Sequence, residues 1–268
     1  MASLFKGLSQ AQHYAAARPT YPPALYDLIM SRCGSSRGTC IDVGCGTGQA
    51  TLVLANHFDS VIGIDPSATQ LENAPRHPKI SYRLGTSEEH LATVEDKSVS
   101  CIVSAQAVHW MDIPALYKEV NRVLIPGGVL ALWTYGIATF PNNASLEKKV
   151  FHIYDSILGE KYWDPRIKIV EGLYRDIPLI DTVYPDSFVS ERIHGHSALD
   201  IEQEISMTQL VGFVRSWSGY NNYLQTNGIE LGSEQDPVEA TLGKEIGEDL
   251  MTTCVWPVAI LLSVKNND

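Results

Sequence analysis

Three glycines alternate with other residues in the segment Ile41-Asp42-Val43-Gly44-Cys45-Gly46-Thr47-Gly48-Gln49. Glycine lets backbone approach a ligand closely and permits positive φ. A short β-branched run at 40–43 precedes the motif and a helical stretch at 49–58 follows it. The loop therefore leads into a helix N-terminus with free N–H groups. A dinucleotide fingerprint needs Gly-x-Gly-x-x-Gly, and neither register supplies it. Counted from Gly44 the third glycine falls on Gln49, and counted from Gly46 it falls on Thr51. Asp42 stands just before the glycines, where a carboxylate repels a pyrophosphate and suits a ligand that carries positive charge. Asp65 follows the next apolar run. A carboxylate there can accept hydrogen bonds from two ribose hydroxyls, or cap the helix beginning near Ser67.

A second group of residues suits the handling of an acceptor. His109 follows an apolar run at 99–103 and reads as a general base or as a residue that positions substrate. Arg18 offers bidentate geometry to a carboxylate, either the donor's own or the acceptor's, or holds the N-terminal segment down from the surface, and Pro19, Tyr21 and Pro22 stiffen the chain beside it. Tyr14 lies one helical turn before Arg18 and covers the ligand or packs as a lid. Trp110, Trp133, Tyr135 and Trp217 are candidate pocket walls, since aromatic faces attract a cation and bury an apolar acceptor. Each has core packing as its plain alternative. Gln106 is a donor-side hydrogen-bonding candidate or a solvated turn residue. His194-Gly195-His196 has same-face spacing on a strand, but no third metal ligand is recognisable nearby. Cys45 lacks a basic partner in sequence and reads as inert.

The elements that must position these residues alternate. Short apolar runs at 40–43, 61–64, 80–83, 99–103 and 129–133 have the character of strands buried on both faces. Helices are expected at 49–58, 67–74 and 113–124, the last capped by Asp112 with Pro114 in its first turn. Such alternation implies βαβ units and a parallel sheet, an α/β fold. A helix to about Cys33 precedes this block. Helical segments over about 144–180, a strand at 187–194, a helix at 206–224, loop over 225–240 and a strand at 254–264 follow it.

These motifs resemble the class I S-adenosylmethionine-dependent methyltransferases. The segment 42–48 is similar to their first motif and Asp65 to their ribose-binding acid. Gly85-Thr86-Ser87-Glu88 is similar to the adenine-flanking segment, Ser104-Ala105-Gln106-Ala107-Val108-His109-Trp110 to the segment lining the methyl donor, and residues 122–128 to the turn into the fifth strand. The resemblance implies S-adenosylmethionine as cofactor, held by Tyr14, Asp42, Gly44, Cys45, Gly46, Thr47, Gly48, Asp65, Thr86, Ser87, Glu88, Ala105 and Gln106. It implies a Rossmann-like, seven-stranded, mostly parallel sheet of order 3-2-1-4-5-7-6 with a largely helical cap. Ser100 departs from the aspartate usual in the fourth strand of such enzymes. Tyr14-x-x-x-Arg18-Pro19-x-Tyr21-Pro22, His109-Trp110 and Ser216-Trp217-Ser218 resemble more narrowly the trans-aconitate and cantharidin-resistance methyltransferase group, which methylates carboxylates of small acids.

The expected organisation is a single methyltransferase domain over 1–268. It divides into an N-terminal lid segment at 1–35, a donor-binding core at 36–134, mainly cap at 135–240, and at 241–268 a C-terminal strand completing the sheet. A net charge of −11 argues against nucleic acid and anionic membrane partners, leaving a small-molecule acceptor. Five cysteines form no Cys-x-x-Cys pair, and the start has no secretory pattern, so a reducing cytoplasmic setting is expected. The function expected is methyl transfer to an oxygen of a small molecule, foremost a carboxylate. The alternatives are transfer to a hydroxyl, nitrogen or carbon, or a binding protein without turnover.

Overall fold

The computed structural model describes residues 18–195, 198–244 and 251–267. Nine strands occur among them: β1 (Thr39–Val43), β2 (Ser60–Asp65), β3 (Ile80–Leu84), β4 (Val99–Ala105), β5 (Leu124–Tyr135), β6 (Phe188–His194), β7 (Ile201–Ser206), β8 (Met251–Trp256) and β9 (Val258–Lys265). Seven form one sheet of order β3-β2-β1-β4-β5-β9-β6, and β7 pairs with β8 alone. The chain separates into two compact units.

The larger unit spans Tyr21–Gly136, Lys168–Asp200 and the C-terminal segment from Pro257, and holds the seven-stranded sheet. Strands β1 to β5 pair in parallel, and β9 runs antiparallel to both β5 and β6. The expected order is thus present, with β9 as its seventh strand. Residues Cys40–Val43 and Val99–Ser104 are buried, as they must be where both faces of a sheet are covered. The helix Ile113–Val123 forms as its sequence predicts. The Asp112 carboxylate accepts from Ala115 N–H at 3.1 Å, and Leu116, Tyr117, Val120 and Val123 are buried along one stripe. The helices after β1 and β2 are shorter than expected, Gln49–Leu54 and Ala68–Glu72. Ser100 serves local structure, its hydroxyl lying 3.0 Å from that of Ser36.

The described part of the smaller unit comprises 18–20, Ile137–Ile167, 201–244 and Met251–Trp256. Here the structure corrects several expectations. The predicted strand 254–264 is two strands in two sheets, divided at Pro257, which fixes φ and has no N–H for the ladder. Only β9 completes the large sheet, and 168–200 belongs with that sheet rather than with a cap spanning 135–240. The predicted helix 206–224 is two, Met207–Arg215 and Ser218–Asn227. They break where the Ser216 hydroxyl donates to the Phe213 carbonyl at 2.6 Å and Trp217 turns extended. The expected loop 225–240 contains a helix, Pro237–Leu242, capped by Asp236. The 144–180 region includes a π-helical turn, His152–Leu158.

The smaller unit is held by two clusters. Tyr154, Trp163, Phe213, Trp217 and Trp256 pack ring to ring at centroid distances of 4.7 to 5.9 Å. Gly219 is glycine because a Cβ there would lie 2.6 Å from the Trp163 ring. Arg215 is buried and pairs with buried Asp236 at 3.3 Å and with Glu239 at 2.8 Å. Asp236 also accepts from the Tyr220 hydroxyl at 2.7 Å.

Candidate active site

The glycine loop crosses the carboxyl ends of β1 and β2. The N–H groups of Gly44 and Cys45 both donate to the Ile64 carbonyl, at 2.8 and 3.0 Å. Gly44, Gly46 and Gly48 all have positive φ, which explains why no side chain replaces them. Two have a second reason. A Cβ on Gly44 would stand 2.4 Å from the Ala107 Cβ, and one on Gly48 would stand 2.4 Å from the Tyr82 hydroxyl. No described residue lies within 4 Å of a Cβ position on Gly46.

Asp65, at the end of β2, accepts from Gly46 N–H at 2.8 Å through Oδ2 and from Ser67 N–H at 2.9 Å through Oδ1. The helix cap itself is Ser67, whose hydroxyl accepts from Gln70 N–H. Each carboxylate oxygen of Asp65 keeps acceptor capacity for a hydroxyl. Two polar groups nearby lack a hydrogen-bond partner among the described residues, the Tyr82 hydroxyl from β3 and the fully buried Ser104 hydroxyl from β4. Sequence reading missed Tyr82. Its signal was a large ring in register with Gly63, which leaves room for it.

Asp42 requires a correction. It is fully buried, not a charge at the mouth of the loop. Its Oδ2 accepts from the Thr51 hydroxyl at 2.6 Å, and Oδ1 has no partner among the described residues. Burial pushes its pKa up to about 7, with the Thr51 hydrogen bond opposing. Cys45 and Thr47 are also buried in the loop, and burial raises the Cys45 thiol.

At the third strand end, Thr86 forms a capping box with Glu89. Its hydroxyl accepts from Glu89 N–H at 3.2 Å, and the Glu89 carboxylate accepts from Thr86 N–H at 3.0 Å. Ser87 is buried and donates to Glu88 at 3.0 Å, and Glu88 reaches Asp112 N–H at 3.4 Å.

Beyond β4 the chain turns sharply. Ala105 ends the strand, and Gln106 has φ +55°. Its amide is neither free for a ligand nor solvated: Nε2 donates to the Tyr135 carbonyl at 3.0 Å, and Oε1 accepts from the Thr134 hydroxyl. The turn continues as a 3-10 helix, Val108–Trp110, pressed against Gly44 through Ala107. His109 is buried and its Nδ1 lies 3.0 Å from the Tyr174 hydroxyl. Trp110 is 48% exposed, so it is not core. Trp133 is core. It is fully buried, with the Tyr21 and Tyr26 rings at 5.4 and 6.4 Å, so a wall role is corrected to packing. Tyr135 ends β5, 6.2 Å from Tyr21.

Sequence reading also missed Tyr174. Leu173 and Tyr174 both have positive φ, +53° and +57°, a conformation costing roughly 1–3 kcal/mol per non-glycine residue. Neighbours impose it. Arg192 of β6 donates to the Tyr174 carbonyl and, at 2.7 Å, to the Ile177 carbonyl, while the Tyr117 hydroxyl donates to Pro178 at 2.6 Å.

Arg18 and Trp217 belong to the smaller unit, where the Arg18 guanidinium stands 5.5 Å over the Phe213 ring and Trp217 is buried in the aromatic cluster. His194 is exposed at the end of β6. Tyr14 and His196 lie outside the described residues. No group of three His, Cys, Asp or Glu side chains is placed for a metal among the described residues.

The sheet order, the three-glycine loop and the acid at the end of β2 define a Rossmann-like transferase. Residues 41–132 match the family model for a methyltransferase domain. A provisionally named methyltransferase of Dictyostelium discoideum is 32% identical over 261 residues, covering 96% of this chain and 94% of its own. A probable S-adenosylmethionine-dependent methyltransferase of Saccharomyces cerevisiae is 29% identical over 242 residues, covering 81% and 82%. Among solved structures, a provisionally named type II methyltransferase from Anaeromyxobacter dehalogenans has a TM-score of 0.72 at 28% identity, covering 91% and 97%. The chain belongs to the class I S-adenosylmethionine-dependent methyltransferases. The residues present fit that cofactor: a Gly46 with no described residue within 4 Å of a Cβ position, a carboxylate at the end of β2, and hydroxyls of Tyr82 and Ser104 without a hydrogen-bond partner among the described residues.

Proposed function

We propose that this enzyme methylates an oxygen of a small-molecule carboxylate, giving a methyl ester. The observation that supports the reading is the resemblance of Arg18-Pro19-x-Tyr21-Pro22, His109-Trp110 and Ser216-Trp217-Ser218 to the trans-aconitate and cantharidin-resistance group, which methylates carboxylates of small acids. A carboxylic acid is ionised near neutrality, so the acceptor needs orientation and dehydration rather than a base. When bound, S-adenosylmethionine supplies a methyl group on positively charged sulfur. The chain's own contribution is to hold it through Gly44–Gly48, Asp65 and the Ala105–Gln106 turn. His109, Trp110 and Tyr135 are assigned to the acceptor side.

The acceptor is a small molecule and not a nucleic acid or membrane, since a net charge of −11 works against polyanions. No helix among the described residues is long and apolar enough to cross a membrane. The five cysteines are unpaired and buried, which suits a reducing compartment such as the cytoplasm.

The test is turnover with methyl-labelled donor and a panel of small organic acids. Label released from the product by mild alkali is the expected result. An alkali-stable product would replace the carboxylate with a hydroxyl, nitrogen or carbon acceptor. Donor binding with no turnover in a broad metabolite extract would leave a binding protein.

A further inference from the structure

We propose that Gln106 is a positioning residue for the methyl donor: its side-chain amide supplies the sheet rung that β4 gives up where the chain turns, and so holds the Gln106–Ala107 turn against the donor loop. The inference concerns the donor side alone and is independent of which acceptor is methylated. The sheet order places the turn. β1 has β2 on one side and β4 on the other, and the chain passes from β3 at the sheet edge to β4 beyond β1. Strand order reverses between β1 and β4, and in open α/β sheets a ligand lies in the crevice outside the carboxyl ends of two such strands. Gly44 follows β1 on one side of that crevice, and Gln106 and Ala107 follow β4 on the other.

Gln106 bonds to three consecutive residues of β5. Its N–H donates to the Trp133 carbonyl at 2.9 Å, its Oε1 accepts from the Thr134 hydroxyl, and its Nε2 donates to the Tyr135 carbonyl at 3.0 Å. The first is the last backbone rung of the ladder, one residue past the Ala105–Trp133 pair. Rungs of a parallel pair are evenly spaced and recur at every second residue, so an uninterrupted β4 would next bring the N–H of Val108 to the Tyr135 carbonyl. The chain has left the sheet by then, because Gln106 has φ +55° and Val108–Trp110 is a 3-10 helix. The side-chain amide takes the missing place. Its orientation is fixed, since only the NH2 end can meet a carbonyl. Glycine and asparagine are the usual occupants of positive φ, but neither reaches the neighbouring strand as glutamine does. The next residue, Ala107, has its Cβ 2.4 Å from where a Cβ on Gly44 would stand. The tether to β5 and the seat on the donor loop are therefore adjacent residues. With the donor's ribose assigned to Asp65, which ends β2 on the far side of β1, its amino-acid end falls to the β4 side, where this turn lies.

The test is calorimetry of the full-length enzyme with two probes, S-adenosylhomocysteine and 5′-methylthioadenosine, which keeps the nucleoside and lacks the amino-acid end. Gln106→Met fills the same space without hydrogen bonds and should weaken S-adenosylhomocysteine about ten- to fiftyfold at every pH. Gln106→Glu still accepts from Thr134, but its carboxylate faces the Tyr135 carbonyl and cannot donate to it. Protonation restores the donor, so its affinity relative to the unaltered enzyme should rise at least fivefold from pH 8 to pH 5, while that of Gln106→Met stays flat. A flat ratio for Gln106→Glu overturns the proposal. Gln106→Gly relieves the positive φ and removes the tether, and should bind S-adenosylhomocysteine as weakly as Gln106→Met. Affinity equal to that of the unaltered enzyme would mean that the amide holds nothing, and overturns the proposal. Affinity for 5′-methylthioadenosine should change less than threefold in all three variants. Equal loss for both probes makes the effect a general loosening of the fold and overturns the positioning role. If Gln106→Met fails to fold, Gln106→Gly and the pH series on Gln106→Glu decide.

Discussion

Asp65 Oδ2 accepts the backbone N–H of Gly46 at 2.8 Å, tying the open centre of the glycine loop to the end of β2. The carboxylate holds Ser67 N–H with its other oxygen, so one side chain sets the loop and the start of the next helix together. A charge-assisted hydrogen bond is worth about 1.5–3 kcal/mol. Asp65→Ala is therefore expected to weaken donor binding at least tenfold by calorimetry, with both the loop shape and the proposed acceptor for the donor's hydroxyls lost.

Gly44 and Gly46 separate steric from ligand effects. Gly44→Ala places a methyl 2.4 Å from Ala107 at φ +71°, and it should destabilise the fold by about 2 kcal/mol or more in thermal or denaturant unfolding. Gly46→Ala meets no described residue within 4 Å at φ +55° and should cost only about 1–2 kcal/mol of backbone strain. Its methyl occupies the space proposed for the donor, so donor affinity should fall far more than stability does.

The buried carboxyl of Asp42 predicts a pH dependence of stability. Its folded pKa of about 7 exceeds the unfolded value near ~3.9. Below about pH 4 both states hold the proton, and between pH 4 and 7 only the folded state does. This group's contribution to stability is full at acid pH and is lost as pH rises towards 7. Asp42→Asn should flatten that slope and gain up to about 4 kcal/mol at pH 8, read by urea unfolding across pH.

Buried and exposed arginines should respond differently. Arg215→Met leaves Asp236 buried without its cation and should cost about 3–5 kcal/mol in unfolding experiments. Arg32→Met breaks an ion pair with Glu191 whose side chains are 40% and 41% exposed, and should cost no more than about 1 kcal/mol.

Much of this molecule is written in local sequence. The apolar runs at 40–43 and 99–103 can only be strands covered on both faces, and alternation with helices then dictates the parallel order. The glycine spacing excludes a dinucleotide fingerprint without reference to coordinates. Asp112, followed by Pro114, marks a helix start by chemistry that operates within a few residues.

What the sequence left undetermined depends on partners distant along the chain. Whether 254–264 is one strand or two turned on which strands were available, and β8 and β9 lie in different sheets on either side of Pro257. Asp42 reads as an exposed charge in sequence, but burial is a property of the neighbours folded over it. Trp110 and Trp133 are the same residue type beside strand ends, yet one is exposed and the other core. Tyr174 stands 65 residues from His109, and no periodicity links them. Spacing decided the α/β class and excluded a dinucleotide fingerprint, because those follow from local backbone geometry, and the resemblance of the motifs supplied the ligand and the sheet order. Tertiary structure alone decided which side chains meet, because contact and dielectric are set by segments remote in sequence.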